Sequence, residues 1–205
     1  MAIDRLAHDR YLIDQLVRPI ANLYRITPLA AGETPAGDPV AFVRQKKLAI
    51  REDIRFFADE SETEELFRIK ARSVLDIGGS RYDVVGTDGA SIGRLEHVFG
   101  KSLLRSTWRL VGADDTEVAI ARERSQWLAL ARRVVDFVPY GEWVPIPYDF
   151  VLLGPDGRGD LGHFTRKLLS LRDRYLLDLS HDGERRVDRR LALALAIALD
   201  ALQNR

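Results

Sequence analysis

RRVDRRLALALAIALDALQNR, residues 185–205, is the stretch of this sequence that decides the fold. As a strand, its alternating Leu and Ala would leave one face made of alanine alone, and alanine is a poor strand former and the best helix former. We therefore predict a helix. A helix that is apolar on all sides must be buried on all sides. Its core side chains are predicted to be Leu191, Leu193, Leu195, Ile197, Leu199 and Leu202.

The length of this apolar run separates a membrane helix from a helix buried in protein. The run from Leu191 to Leu199 is far shorter than the ~20 residues that cross a bilayer, and Asp200 ends it. We therefore predict no transmembrane segment. In a soluble protein rich in strands, one way to surround such a helix is to thread it through a β-barrel.

Composition limits the class of protein. The chain has 205 residues, of which 46% are hydrophobic and 30% charged, so we expect one domain with a packed core. Lys and Arg (31) balance Asp and Glu (31), which argues against a nucleic-acid partner. Cysteine is absent, which excludes disulfides, thiol nucleophiles and S-acylation and favours the cytoplasm.

The first 39 residues are predicted to lie outside the main domain. Apolar residues recur there at steps of mostly three or four, which favours an N-terminal amphipathic helical extension over residues 1–29, ended or kinked at Pro19. Two roles remain open: packing against the outside of the domain, or contacting a membrane surface or a second copy of the chain. Residues 30–39 contain Gly, Pro and Thr but no large apolar residue, which indicates a linker.

Residues 40–205 are predicted to form the main domain, which is mostly β. About eleven short strands, separated by turn signals such as TDG at 87–89 and HDG at 181–183, indicate an all-β sandwich or barrel. Residues 125–147 interrupt this pattern as an insertion, with a short helix followed by a proline-containing loop. Trp127 and Trp143 in that insertion are candidates for anchoring at a membrane interface or for covering one end of a barrel.

A hairpin pattern recurs three times, starting at Ala41, Gly93 and Gly162. In each copy, alternate residues are predicted to face inward, and an Arg follows ten to twelve residues after the start. Chance similarity between short alternating segments is the other explanation.

The β region and the C-terminal helix together resemble the LURP-one-related family, which shares its fold with phospholipid scramblases and the Tubby C-terminal domain. KKLAIRED and RKLLSLRDRY carry the resemblance, above all through Arg166, Asp173, Arg174 and Tyr175. It implies a barrel of about twelve strands around a buried C-terminal helix. Tubby-type relatives bind phosphoinositide headgroups, and scramblases act at membranes. The acylated cysteines and calcium-binding segment of scramblases are absent from this sequence.

Catalytic motifs are not found, and we predict no enzyme activity, cofactor or metal site. Local clusters of basic residues instead suggest that one end of the barrel binds anionic phospholipid, or another phosphorylated ligand, at a membrane surface. The alternatives are surface charge that serves solubility, and a protein-interaction or scaffold module without lipid binding, for which a homodimer is one form. The candidate residues for an anionic ligand are Arg44, Lys46, Arg51, Lys167 and Arg172.

Overall fold

A computed structural model describes residues 4–17, 21–46, 53–71, 81–98, 106–124, 149–167 and 173–203 of the chain. These residues form twelve strands, one α-helix and two short 3-10 helices at Asp4–Leu6 and Ala31–Glu33. The strands are β1 (Arg10–Val17), β2 (Ala21–Pro28), β3 (Ala41–Lys46), β4 (Asp53–Phe57), β5 (Glu65–Ala71), β6 (Arg81–Gly86), β7 (Ser91–Val98), β8 (Thr107–Gly112), β9 (Glu117–Glu123), β10 (Asp149–Leu153), β11 (Asp160–Lys167) and β12 (Arg174–Asp178), and the helix is α1 (Arg189–Gln203).

The strands close into an antiparallel barrel in which each strand pairs with its sequence neighbours and β1 pairs with β12. The mainly β class, the closed barrel of about twelve strands and the C-terminal helix are therefore confirmed. Alternate residues of the strands face the interior, as the pleat requires. Val43, Phe56, Leu95 and Phe164 are examples, each at most 1% exposed.

The predicted N-terminal helix is wrong, because residues 10–28 form β1 and β2. Tyr11, Ile13 and Gln15 point inward at a period of two, whereas the steps of three and four in the sequence also counted residues outside this face. The barrel accordingly starts at Arg10 rather than at residue 40. The predicted linker is the connection between β2 and β3, where Leu29 and Pro35 form an isolated bridge.

Ten of the predicted strand segments coincide with β3 to β12. The other segment, at residues 74–78, and the insertion at 125–147 lie outside the described residues. The three copies of the hairpin pattern begin β3, β7 and β11, which are four strands apart, so copies of the pattern recur at equal intervals around the barrel.

Helix α1 begins beside the end of β12 and crosses the barrel interior. Asp188 caps its first turn by accepting the backbone N–H of Arg190 at 2.8 Å. The buried Asp182 carboxylate fixes the approach by accepting Arg189 Nη1 at 2.6 Å. The side chains of α1 from Leu191 to Ala201 are all buried and share one apolar cluster with inward residues of the strands; the Leu202 side chain is outside the described set.

The two ends of the barrel are named from this helix. The proximal end lies where α1 starts, and Leu191 there packs against Gly93 of β7. The distal end lies where α1 finishes, and Asp200 there reaches Tyr24 of β2 and Tyr175 of β12. Each strand connection belongs to one end because the strands are antiparallel.

Candidate functional site

The barrel interior becomes polar toward the distal end. Near the proximal end and the middle, the inward positions are apolar, as Ile13, Phe67 and Leu152 illustrate. Toward the distal end, side chains that form hydrogen bonds face inward from seven strands and from α1. These residues are Gln15, Tyr24, Gln45, His97, Glu123, Arg166, Tyr175 and Asp200.

Asp200 is at the centre of this polar region. Tyr24 Oη donates a hydrogen bond to Asp200 Oδ2 at 2.6 Å, and Tyr175 Oη donates to Oδ1. The carboxylate is only 3% exposed, and burial raises the pKa of Asp200 despite these two donors. Burial, reinforced by the Asp200 charge, also raises the pKa of both tyrosines. The cluster therefore ties the last turn of α1 to β2 and β12.

Further polar contacts hold the distal end together. Asn22 Nδ2 donates to Gln45 Oε1 at 3.0 Å, and Gln45 Nε2 donates to the carbonyl of Ala201, in the last turn of α1, at 3.4 Å. Arg166 faces inward and forms an ion pair with Asp173. These contacts give the end of the helix partners for groups that would otherwise be buried without hydrogen bonds.

His97 also lies in this region, with Nε2 3.2 Å from Ser106 Oγ. Burial lowers its pKa, so the imidazole is held in the neutral form. Among the described residues, no set of three His, Asp or Glu is arranged to hold a metal ion. None of the helices in the described part of the chain combines the length and the apolar character that crossing a membrane requires.

The connections at the two ends carry opposite charge. The six proximal connections (29–40, 58–64, 87–90, 113–116, 154–159 and 179–188) contain 13 Asp and Glu against 3 Arg, a net charge of −10. The six distal connections (18–20, 47–52, 72–80, 99–106, 124–148 and 168–173) contain 10 Lys and Arg against 5 Asp and Glu, a net charge of +5. These counts come from the sequence of each connection, and nine of the ten distal Lys and Arg lie outside the described residues.

Three of the five candidate residues for an anionic ligand, Arg44, Lys46 and Lys167, lie in the distal half of the barrel. Arg44 points outward from β3 and pairs with Glu62 at 2.7 Å, and Lys46 is the last residue of the same strand. Lys167 ends β11 and forms an ion pair with Glu33. Arg51 and Arg172 are in the connections that follow these two strands, outside the described residues.

The structure does not bring all five candidates into one cluster. Three strands, β12, β1 and β2, separate Lys167 from Arg44 around the barrel. Arg44 instead lies directly opposite Arg55 on β4, and Arg55 lies opposite Arg68 on β5. Sequence analysis missed Arg68 because its position relative to Arg44 depends on the register of three strands, which one sequence does not reveal.

Comparison with known proteins agrees with this architecture. A search of curated proteins finds none that matches the chain. The sequence profile of the LURP-one-related family matches residues 40–200, which include β3 to β12 and most of α1. The match omits β1 and β2, although both strands are needed to close the barrel. Because it covers most of the sequence, this chain belongs to the LURP-one-related family.

Proposed function

We propose that the protein is a non-catalytic binding module of the cytoplasm that binds anionic phospholipid, or another phosphorylated ligand, at the distal end of its barrel. The observation that carries this proposal is the opposite charge of the connecting segments in the sequence, −10 for the six proximal connections and +5 for the six distal ones. The protein would act peripherally at a membrane surface, with its distal end toward the lipid.

The distance between the ends makes the charge separation effective. A strand of eight residues, such as β11, is about 26 Å long, and the tilt of barrel strands leaves about 20 Å along the axis. This is more than twice the Debye length of about 8 Å at physiological ionic strength. An anionic surface near the distal end therefore attracts the basic connections while repulsion from the remote proximal carboxylates is screened. Glu33 and Glu62 are exceptions, because they contact Lys167 and Arg44 directly.

The ion pairs of Arg44 and Lys167 are compatible with such binding. Both pairs are partly exposed, and exposed ion pairs contribute only about 0 to 1 kcal/mol. A basic residue near an anionic membrane gains about 1 kcal/mol. Exchange of Glu62 or Glu33 for a phosphate group is therefore close to neutral for each residue, so these ion pairs do not prevent binding.

Co-sedimentation with vesicles tests the proposal. Wild-type protein should bind vesicles of phosphatidylcholine with phosphatidylserine at low salt and lose binding as salt is added. Replacement of Arg44, Lys46 and Lys167 by Glu should abolish this binding. A matched control replaces the three proximal arginines, Arg158, Arg185 and Arg186, by Glu, which changes the net charge equally.

The outcome depends on the contrast between these two variants. Loss of binding only in the distal variant supports the proposal. Absence of wild-type binding at low salt, or equal loss in both variants, would contradict it. Lipids recovered after incubation should be chemically unchanged by mass spectrometry, because the proposal includes no catalysis.

The alternative of a protein-interaction or scaffold module has a different basis. The N-terminal helix, one of its two proposed contact surfaces, is absent because residues 10–28 are barrel strands. The carboxylate-rich proximal end remains as a surface for a basic partner. A homodimer would appear in light scattering of the full chain as twice the 23.2 kDa monomer mass.

A further inference from the structure

Charged side chains on the outer surface of the barrel follow a pattern. Where two acidic or basic residues face each other on neighbouring strands, their charges are usually opposite, and such pairs stabilise a sheet whereas like charges destabilise it. In the described strands, the opposite pairs are Arg10 with Asp178, Asp14 with Arg174 and Arg25, Lys70 with Asp53 and Asp83, Arg94 with Asp83, and Glu96 with Arg81 and Arg109.

A row of three arginines departs from this pattern. Arg44, Arg55 and Arg68 face one another on β3, β4 and β5, and we call them the arginine row. Neighbouring strands lie about 4.8 Å apart, so the backbone positions of the row span about 10 Å. Among the described strands, the one other pair of this kind is Lys167 facing Arg174.

Carboxylates pair with all three arginines of the row. Glu62 reaches Arg44 from the connection after β4, and Asp53 contacts Arg55 at 2.8 Å from the same strand. Glu65 contacts Arg68 at 2.7 Å along one strand and also lies 3.8 Å from Arg55, so it bridges these two arginines. The side chains of Arg44, Arg55 and Arg68 are 45%, 41% and 27% exposed.

Solvent-facing positions do not require this arrangement, since elsewhere in the described strands facing charges are opposite in every pair except Lys167 with Arg174. What three adjacent guanidinium groups offer is a line of planar donors, which bind phosphate oxygens two at a time. We propose that the arginine row is a binding site for a run of phosphate groups. This inference rests on the proposed function, because it names residues that would bind the phosphate groups of a lipid surface.

The nearby carboxylates occupy the site when no ligand is bound. Glu62 pairs with Arg44, Asp53 with Arg55, and Glu65 with both Arg55 and Arg68, and each is on the solvent side of the wall. Because exposed ion pairs are weak, a ligand that bears several phosphate groups displaces them, whereas a single phosphate has less to gain. Affinity should therefore rise steeply with the number of phosphates.

Two probes distinguish a lipid from a soluble source of phosphate. Inorganic tripolyphosphate is titrated calorimetrically, and vesicles of phosphatidylcholine with phosphatidic acid are tested by co-sedimentation. The row variant is Arg44→Gln with Arg55→Gln. The matched control is Arg94→Gln with Arg109→Gln, which removes the same charge from β7 and β8, where opposite charges alternate.

The row variant should lose affinity by about ten-fold or more for both probes, and the control by less than about three-fold. Its thermal midpoint should stay within about 2 °C of the wild type, because like-charge repulsion disappears along with the ion pairs. If the row variant folds poorly, Arg55→Lys provides the test. This substitution keeps the positive charge but removes the planar guanidinium that binds two phosphate oxygens at once, so the variant should bind both probes less tightly than the wild type.

Each outcome bears on a separate claim. Wild-type vesicle binding that weakens equally in the row variant and the control overturns the arginine row but leaves binding at the distal end intact. Tripolyphosphate binding that needs the row, without vesicle binding, supports the row and overturns the lipid proposal. Binding of neither probe overturns both.

Discussion

Asp200 shows how one polar residue in an otherwise apolar helix can fix the position of that helix. It interrupts an otherwise apolar helix, yet its carboxylate accepts hydrogen bonds from Tyr24 on β2 and Tyr175 on β12. The two hydroxyl groups compensate for part of the cost of burying a charge. The position of α1 along the barrel axis is thereby fixed by polar contacts as well as by packing.

The first prediction concerns the pH dependence of stability at this site. Burial raises the pKa of Asp200 above its ordinary value of 3.8, so between the two values unfolding releases a proton and the folded state loses stability as pH rises. Asp200→Asn cannot ionise. Its urea midpoint relative to the wild type should therefore increase between about pH 4 and pH 7.

Asp114 is a control of opposite sign. Hydrogen bonds from Thr116 lower the pKa of Asp114, so its contribution to stability is present above the unfolded value and is lost as pH falls. Asp114→Asn should thus become less stable relative to the wild type as pH rises through about 4. Parallel curves for the wild type and Asp200→Asn would show that Asp200 is not perturbed in the folded state.

The residues that carry the family resemblance have structural roles at the distal end. Arg166 pairs with Asp173, Arg174 contacts Asp14 of β1 at 2.7 Å, and Tyr175 contacts Asp200. The sequence identified these residues but not the partners of Arg174 and Tyr175. Those two partners lie on β1 and α1, more than 20 residues away along the chain, and only the folded barrel brings them together.

At the scale of elements, the close approach of α1 to the wall depends on glycine. A Cβ on Gly93 would collide with the carbonyl oxygen of Val111 and lie 3.2 Å from Leu191 Cδ2. Its φ of +151° adds a conformation that other residues rarely adopt. The lack of a side chain at Gly93 therefore allows both β8 and α1 to pack closely against β7.

Gly93→Ala should lower the free energy of unfolding by about 1 to 3 kcal/mol, because overpacking forces the helix or β8 to move. Urea denaturation measures this change. Gly183→Ala is the control, since nothing lies within 4 Å of a Cβ there, and should stay within about 0.5 kcal/mol of the wild type. An equal effect of both substitutions would argue against close contact between α1 and β7.

The sequence predicted some elements well and others poorly, for physical reasons. Strands β3 to β12 alternate clearly and are bounded by turn signals, and the alanine-rich helix has no plausible strand face. β1 and β2 were mistaken for a helix because their outward face also carries apolar residues, such as Leu12 and Leu23. Hydrophobic spacing alone does not separate these two cases.

The candidate site was predictable only in part. Arg44, Lys46 and Lys167 were identified from alternation within hairpins, and all three lie in the distal half of the barrel. Their separation around the wall and the alignment of Arg44 with Arg55 and Arg68 depend on strand order. The charge of each end likewise emerges only when every connection is assigned to an end.

At the scale of the molecule, barrel closure makes residues 10–28 indispensable although the family profile begins at residue 40. β1 pairs with both β2 and β12, and β2 supplies Tyr24 to the Asp200 cluster. Asp9 adds an ion pair to Arg189, the buried arginine in the first turn of α1, at 2.6 Å. Loss of this segment would open the wall and leave Asp200 with fewer donors.

We therefore predict that deletion of residues 1–28 abolishes cooperative folding rather than removing an appendage. Amide chemical-shift dispersion and near-ultraviolet circular dichroism should both be lost relative to the full chain. A truncated protein that unfolds cooperatively with the thermal midpoint of the full chain would show that ten strands suffice.

Pairing of β1 with β12 also determines how late during synthesis the barrel can close. Arg10 faces Asp178, 168 residues later, so β1 has no partner on one side until β12 has been made. The helix that fills the centre follows all twelve strands along the chain, so it is translated after them. Contacts of such long range make folding slow, and the apolar inner face of the strands stays exposed on the ribosome-bound chain until α1 emerges.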